Sequence, residues 1–491
     1  MDRAKAAAGD RSITAGSDFL QLDVGEAAPG GRADWLAGRL RAAIADGRVP
    51  VGARLPASRV LAADLGVSRG VVTEAYQRLT EDGHVVGRGR AGTVVVATPA
   101  AVVDRSPASP ASTEVFADRP GTDVFDALRT APAELDLTPG VPDLAAFPRA
   151  AWLRAERAVL HRLRPAAFGY GDPTGTPALR LAVATWLARS RGITVDPAEV
   201  VIVAGVSQAL GLLAQVLHDD GIHTVAVEDP GSLGVRQHLR NWRLDTPPVP
   251  VDAHGLRVDD LAASGAPAVL LTPAHQFPTG VVLDGERRRA LLRWAQRGGL
   301  VVEDDYDAEH RYDRPPVPAL RGMLPERVCY TGSVSKLLAP ALRTGWVLVP
   351  RRYHAALVAA KRMADLGNAA LPQLVLAELM DTGELERHLR LLRRRHVHRR
   401  DAMIRAIGRH LPGAVVHGAA AGLHLLVTLD PAVSDLDLAA AALRRGVKVQ
   451  PLSWHGQRPQ PPGLVLGYAA NAPGDLERGV AALGAALREL R

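Results

Sequence analysis

The chain has 491 residues, 47% of them apolar and 23% charged, with a formal net charge of +7, enough for a small domain and a large one, each with its own core. No stretch approaches the roughly 20 uninterrupted apolar residues of a membrane helix, and the N-terminus, MDRAKAAAGDRSITAGSDF, carries no apolar signal core. The single cysteine, Cys329, excludes an internal disulfide and fits a reducing cytosol, so a cytoplasmic protein without membrane association is expected.

After a disordered start to about Asp18, helical periodicity runs from Arg32 to Asp82. Asp34 is placed to cap a helix carrying Trp35, Leu36, Leu40 and Ile44 on one face, stopped by Gly47. Ser58 is placed to cap a second helix with Leu61 and Leu65, stopped by Gly66. Ser68 starts a third, with Val72, Ala75, Tyr76 and Leu79 at i, i+3, i+4, i+7, ending at Gly83. Helix, tight turn, helix is helix-turn-helix spacing. Two short strands around Gly87–Gly92 then predict a hairpin wing.

Ten arginines oppose six acids between Arg32 and Gly92, a balance that suits phosphate backbones as well as a solvated face. Helix three leaves Arg69, Gly70, Thr73 and Gln77 outward, where arginine can reach guanine or phosphate in a major groove. Arg88 and Arg90 occupy the wing tip, within reach of flanking phosphates or the minor groove. A small helical bundle used only for dimerisation shares this periodicity.

Residues 97–136 lapse into Ala, Pro, Ser, Thr and Asp and read as a linker. Beyond it, the apolar runs Val200–Ala204, Thr224–Val227, Ala268–Leu271, Gly299–Val302, Val328–Thr331 and Gly345–Val349 alternate with helical patterns. Strands buried on both faces and separated by helices predict a mostly parallel sheet in an α/β domain. The tail from about Ala370 suits a smaller α+β lobe.

Four of the 59 basic residues are lysines. A G+C-rich genome explains the bias, yet each retained lysine is then worth examining, because arginine cannot form a Schiff base. Lys336 ends the densest motif, Tyr330-Thr331-Gly332-Ser333-Val334-Ser335-Lys336, followed by Arg343. Hydroxyls and an arginine beside a lysine can hold a phosphate next to an aldehyde-reactive amine. Upstream, Glu303-Asp304-Asp305-Tyr306 ends a strand with carboxylates and a phenol. Gly205-Val206-Ser207-Gln208 lies between a strand and a helix, where backbone N–H groups cradle phosphate. A third strand-end loop offers His275 and Gln276. Each motif alone has a structural explanation, such as an N-cap or a solvated strand end; together they fall where open α/β sheets bind ligands. No metal ligand set is expected.

Two resemblances cover nearly the whole chain. Ile44-Ala45-Asp46-Gly47, Gly52-Ala53-Arg54-Leu55-Pro56-Ala57-Ser58-Arg59 and Gly66-Val67-Ser68-Arg69, with the Gly-rich wing, resemble the GntR-type winged-helix family over residues 20–96. That implies binding of a double-stranded DNA operator through Arg54, Ser58, Arg59, Ser68, Arg69, Thr73 and the wing. Residues 137–491 resemble a fold-type I, class I/II aminotransferase, through Gly140-Val141-Pro142-Asp143, Tyr170-Gly171-Asp172-Pro173-Thr174-Gly175, His275-Gln276-Phe277-Pro278-Thr279-Gly280 and Ser333–Lys336 with Arg343. Joined, they resemble the MocR-type regulators. The resemblance implies pyridoxal 5′-phosphate (PLP) in Schiff-base linkage to Lys336, with Asp304 on the pyridinium and Tyr306 on the 3-oxygen. Ser333, Ser335, Arg343 and the Val206–Gln208 backbone would hold the phosphate. It also implies a head-to-tail homodimer with the sites near its interface.

Two departures from the aminotransferase pattern shape the functional expectation. Ser232 stands where a ring-stacking aromatic is common, leaving His275 as a candidate cover. Val465 stands where an arginine would clamp a substrate carboxylate. A transcriptional regulator whose Lys336 aldimine senses PLP or a carboxylate-free amine is therefore expected, with a working aminotransferase bearing an accessory DNA-binding head as the alternative. A degenerate domain that only dimerises fits the retained Asp304, Tyr306, Lys336 and Arg343 less well.

Overall fold

The computed structural model describes residues 20, 22–28, 30–89, 92–96, 115–312 and 317–490. They fall into two compact units, within Met1–Ala108 and Ser109–Arg491. The expectations for the start of the chain to Asp18, for Arg90 and for residues 97–114 lie outside the described residues.

The first unit is three helices, Arg32–Ala45, Ser58–Asp64 and Arg69–Glu81, with a hairpin of Val85–Gly87 and Thr93–Val95. The predicted apolar stripes converge: Leu36, Leu40, Ile44, Leu61, Val72, Ala75 and Leu79 are buried with Val85 and Val95 of the hairpin, the outcome expected when i, i+3, i+4 positions share a face. Tyr76 anchors the second helix from inside, its hydroxyl donating to the Pro56 carbonyl at 2.8 Å. The capping details differ from expectation. The first helix starts at Arg32 with Gly31 at its cap, so Asp34 lies in the first turn and pairs with Arg78. Ala57 precedes the second helix, and Ser58 is its first residue. Ser68 does occupy the cap of the third, without a side-chain capping bond.

The second unit centres on an eight-stranded sheet in the order Val201–Val203, Gly345–Leu348, Val328–Ser333, Leu300–Asp305, Ala268–Leu271, Val225–Asp229, Pro248–Asp252, Gly255–Leu256. Gly345–Leu348 is antiparallel to both its neighbours, and the pairings from Val328–Ser333 through Pro248–Asp252 are parallel. All six predicted strands are present. The last two strands at one end, Pro248–Asp252 and Gly255–Leu256, went unpredicted because Pro248-Val249-Pro250-Val251 has no long apolar run. Helices cover both faces of the sheet and form separate apolar clusters, which is why its strands are apolar throughout. The smaller lobe is a four-stranded antiparallel sheet, Val415–His417, His424–Thr428, Gly463–Gly467, Gln450–Pro451, backed by the helices Glu384–His410, Asp435–Arg444 and Pro473–Glu489.

The predicted linker over 97–136 is too long. Val115 and Phe116 are buried, Val124–Thr130 is a helix with Val124 and Leu128 in the core, and Leu135–Asp136 pairs with Val447–Lys448. This segment has little periodicity of its own because the small lobe supplies the surface it packs on: Phe116 stacks on Trp454 at 5.3 Å and Phe125 meets the same ring edge-on. Among the described residues, no helix is long and apolar enough to cross a membrane.

Candidate functional site

The loops at the C-terminal ends of the central strands converge on a cavity of ≈ 210 Å³ lined by Gly140, Glu228, Ser232, Thr272, Phe277, Asp304, Tyr306, Lys336, Leu423 and His424, among others. Lys336 lies three residues past the strand Val328–Ser333. Its Nζ donates to the carbonyl of Gly140, a residue with φ +85° whose Cβ, were there one, would sit 3.2 Å from that Nζ. Glycine is therefore required here both by the left-handed backbone and by the lysine's approach. Behind the lysine, His310 Nε2 lies 3.2 Å from the Lys336 carbonyl oxygen. Burial lowers the ammonium's pKa, and Asp307 and Asp304 oppose that shift.

Asp304 ends the neighbouring strand and is buried, its carboxylate accepting from the Thr331 hydroxyl at 3.1 Å. Burial pushes its pKa up to about 7. Among the described residues, no basic side chain forms an ion pair with it. A buried carboxyl in the wall of a cavity, with one hydrogen-bond partner and no ion pair among the described residues, suits a protonated ring nitrogen. Tyr306, two residues on, has its hydroxyl 3.1 Å from His275 Nδ1, which also contacts Asp307 Oδ2 at 2.8 Å. Burial, then the carboxylates of Asp307 and Asp304, hold the phenol well above its ordinary pKa, so Tyr306 keeps its proton and can donate it.

Outside the cavity lining, Gly205 and Ser333 meet around Gly345, where an added Cβ would lie 3.1 Å from Gly205 Cα and 3.2 Å from Ser333 Cβ, and the Arg343 guanidinium lies against Gly205. Gly205 caps the 14-residue helix Val206–Asp219, and Arg343 donates to the Ala204 carbonyl. The first-turn N–H groups of Val206 and Ser207, with Ser333 and the arginine, thus lie at one helix N-terminus, a natural anion site. Gln208 is engaged elsewhere: its N–H donates to the Gly205 carbonyl at 3.2 Å, and its side chain bonds Ala204 N and Asp365, each at 2.7 Å. Ser335 N donates to Ser333 Oγ at 3.4 Å. Lysine, carboxylate and phenol share one cavity and fit the ring end of PLP, whereas none of the expected phosphate residues is in that lining.

Other expected residues are placed differently. Gln276 is buried but lies outside the cavity lining: its amide donates to the Pro230 and Phe277 carbonyls and its Oε1 accepts from Thr279, bracing the loop. His275 also lies outside the lining, held behind Tyr306; a Cβ on Gly422 would fall 2.0 Å from its ring. Besides Tyr306, the rings that do line the cavity are Phe277 and His424. Ser232 caps the helix Leu233–Asn241 by accepting from Val235 N at 3.3 Å. Val465 is fully buried with Leu426, Leu452 and Phe277. Thr331, Asp307, Leu423 and His424 belong to the site without having been singled out by sequence. Asp307 sits beside a read motif, but Leu423 and His424 come from the smaller lobe with no local signal. His275, Asp307 and His424 also bring potential ligand atoms within 4.8 Å of one another.

In the first unit, Arg54, Arg59, Ser68, Arg69, Gly70, Thr73, Gln77 and Arg88 are all exposed, and Ser58 is half-buried. Arg69 Nε lies 3.4 Å from Ser58 Oγ, tying the starts of the second and third helices together. Thr73 bonds the Arg69 carbonyl and Gln77 reaches Glu81, each at 2.9 Å. Arg54 lies beside the wing, its Cδ 3.3 Å from the position of a Cβ on Gly92.

The pattern of the bacterial regulatory proteins, gntR family, matches residues 33–95, and that of aminotransferase class I and II matches residues 134–483. The chain is 32% identical over 460 residues to the probable rhizopine catabolism regulatory protein MocR of Rhizobium meliloti, covering 92% of this chain and 93% of that one. It is 31% identical to the pyridoxine biosynthesis transcriptional regulator PdxR of Corynebacterium glutamicum, covering 89% and 91%. Among solved structures, the Pyrococcus horikoshii kynurenine aminotransferase superposes with a TM-score of 0.68 at 26% identity, over 75% of this chain and 93% of that one. The α-aminoadipate aminotransferase LysN of Thermus thermophilus superposes equally well, with a TM-score of 0.68 at 28% identity, over 75% and 95%.

Proposed function

Since the chain belongs to the MocR-type regulators of the GntR family, which join a DNA-binding winged helix-turn-helix to an aminotransferase class I and II domain, we propose that it is a PLP-responsive transcription regulator whose sensing group is Lys336. The observation that carries this reading is the buried Lys336 amine sharing one cavity with Asp304 and Tyr306. When bound, PLP supplies an electrophilic aldehyde that condenses with amines. Lys336, its basicity lowered by burial, is the amine positioned for that aldehyde. Asp304 would hold the ring nitrogen and Tyr306 would donate to the 3-oxygen. Ser333, Ser335, Arg343 and the start of the helix Val206–Asp219 would hold the phosphate.

The lining favours sensing over turnover. Among the described residues lining the cavity, Lys336 is the only Lys or Arg, and Val465 is locked in an apolar cluster, so an α-carboxylate finds no bidentate clamp. The effector is then PLP itself or an amine without a carboxylate; the relative named as a pyridoxine biosynthesis regulator supports the former. An effector can act on the operator only by binding two forms of the protein unequally. A homodimer is supported by Leu153 (64% exposed), Phe168 (65%) and Tyr170 (97%), apolar side chains that a partner would cover.

The test is the absorbance spectrum of the protein incubated with PLP, wild type beside Lys336→Ala. A band for lysine-bound cofactor in the wild type alone is expected; no band in the wild type overturns the reading. The intact Asp304, Tyr306 and Lys336 set favours a second reading, a working aminotransferase. Multiple turnovers with amino donors would establish it.

A further inference from the structure

A second chamber of ≈ 490 Å³ borders the Lys336 cavity, and Gly140, Ser232, Phe277 and Lys336 line both. Two of the four residues in the shared wall are small. Gly140 has no side chain, and the Ser232 hydroxyl is turned to its own helix. Gly234, in the wall beyond, leaves space that an added Cβ would enter at 3.4 Å from the Phe125 ring. The Lys336 cavity alone falls below the roughly 300–1,000 Å³ of ordinary ligand pockets. Together the two chambers hold a cofactor and something longer than an amino acid.

The second chamber's polar groups are already paired. The Asp136 carboxylate accepts from the Thr138 N–H and hydroxyl at 2.8 and 2.6 Å. His455 is bonded to Gln450 and to Leu233 N. Arg129 pairs with Asp126 at the surface. Besides the exposed Arg129, what remains for a ligand is apolar: Phe125, Leu128, Val141, Phe277 and Pro340. Two of these, Phe125 and Leu128, come from the helix Val124–Thr130.

From this shared wall we infer that, of the two effector classes above, the site takes the amine: a primary amine on an extended, aromatic-ended apolar body, with its amine in the Lys336 cavity and its body past Ser232 against Phe125 and Leu128. The amine end rests on the PLP reading above; the chamber for the body does not. Burying a phenyl group there is worth roughly 1.5–3 kcal/mol, about ten-fold or more in affinity.

The test titrates the full-length, PLP-loaded protein with 4-phenylbutylamine and n-butylamine by calorimetry, with saturation-transfer NMR reading the phenyl protons. The wild type should bind 4-phenylbutylamine at least about ten-fold tighter. Gly234→Leu, which fills the chamber from a helical position that tolerates leucine, should erase that preference while keeping the cofactor spectrum and the n-butylamine affinity. Should Gly234→Leu not fold, Ser232→Leu at the junction must erase the same preference. Equal wild-type affinities, or a variant that retains the preference, overturn the inference. If the wild type takes up no PLP, the Lys336 reading fails by itself. Phenyl saturation transfer in the cofactor-free wild type, lost in Gly234→Leu, would then uphold the chamber, and its absence would overturn it.

Discussion

The two units build their sites by opposite means. In the DNA-binding unit the expected contact side chains are the exposed complement of a buried stripe: once Val72, Ala75, Tyr76 and Leu79 face inward, Arg69, Thr73 and Gln77 must face out. In the larger unit the site is a space assembled from separate segments of the chain, Gly140 with Lys336, Thr331 with Asp304, His424 with Phe277. A surface site depends on one helix keeping its register. An enclosed site depends on every wall, so single substitutions there should reach further.

The largest effect expected under that contrast is at Asp304. Asp304→Asn keeps the shape but removes the charge that would meet a ring nitrogen, and PLP affinity should fall roughly 10- to 100-fold, the worth of one buried charge-assisted bond, read by spectrophotometric titration. The same residue carries a pH signature. Its carboxyl, raised to about 7 by burial, binds a proton more tightly folded than unfolded. Its stabilising contribution is thus complete below about pH 4 and lost as pH rises through 7. In urea unfolding of the cofactor-free protein from pH 5 to pH 8, wild type should lose stability relative to Asp304→Asn. Glu228, Glu303 and Glu309, also raised to about 7 by burial, act with the same sign, and His396, His424 and His455, lowered by burial, with the opposite one; all are common to both proteins.

Next comes Arg69→Ala, which removes one exposed arginine whose bond in this structure is a long one to Ser58. Operator affinity should fall by about 1–3 kcal/mol, with the cofactor spectrum unchanged. Equal affinity in a gel shift with the native promoter would sink Arg69 as a DNA contact, and a changed spectrum would break the independence of the two sites. The smallest effect is expected at Tyr76→Phe. Deleting the hydroxyl that reaches the Pro56 carbonyl should cost about 1 kcal/mol. Calorimetry of the full chain should show a drop of about 4–8 °C confined to the transition of the smaller unit.

Much of the molecule was legible in the sequence, for reasons that vary by place. Local periodicity located the three helices of the first unit, because burial of one helix face is decided within a few turns. Apolar runs located six strands of the large sheet, because strands covered on both faces need no alternation. The motif residues Asp304, Tyr306, Ser333 and Lys336 were legible because strand ends in an open α/β sheet all point to one edge. The placing of 115–136 as linker failed where the packing partner is remote, since Phe116 and Phe125 make sense only against Trp454.

The sequence by itself determined which residues bring chemistry: the rare lysine, the strand-end carboxylates, the arginines left outside a helical stripe. Only the tertiary structure decided which of them share a space. It set His275 behind Tyr306 and brought His424 to the lining in its stead, spent Gln276 on its own loop, and opened a chamber beside Ser232. The physical reason is that residue type and local period act over a few residues of chain, whereas a cavity is the volume left when two lobes, folded from distant segments, close on each other.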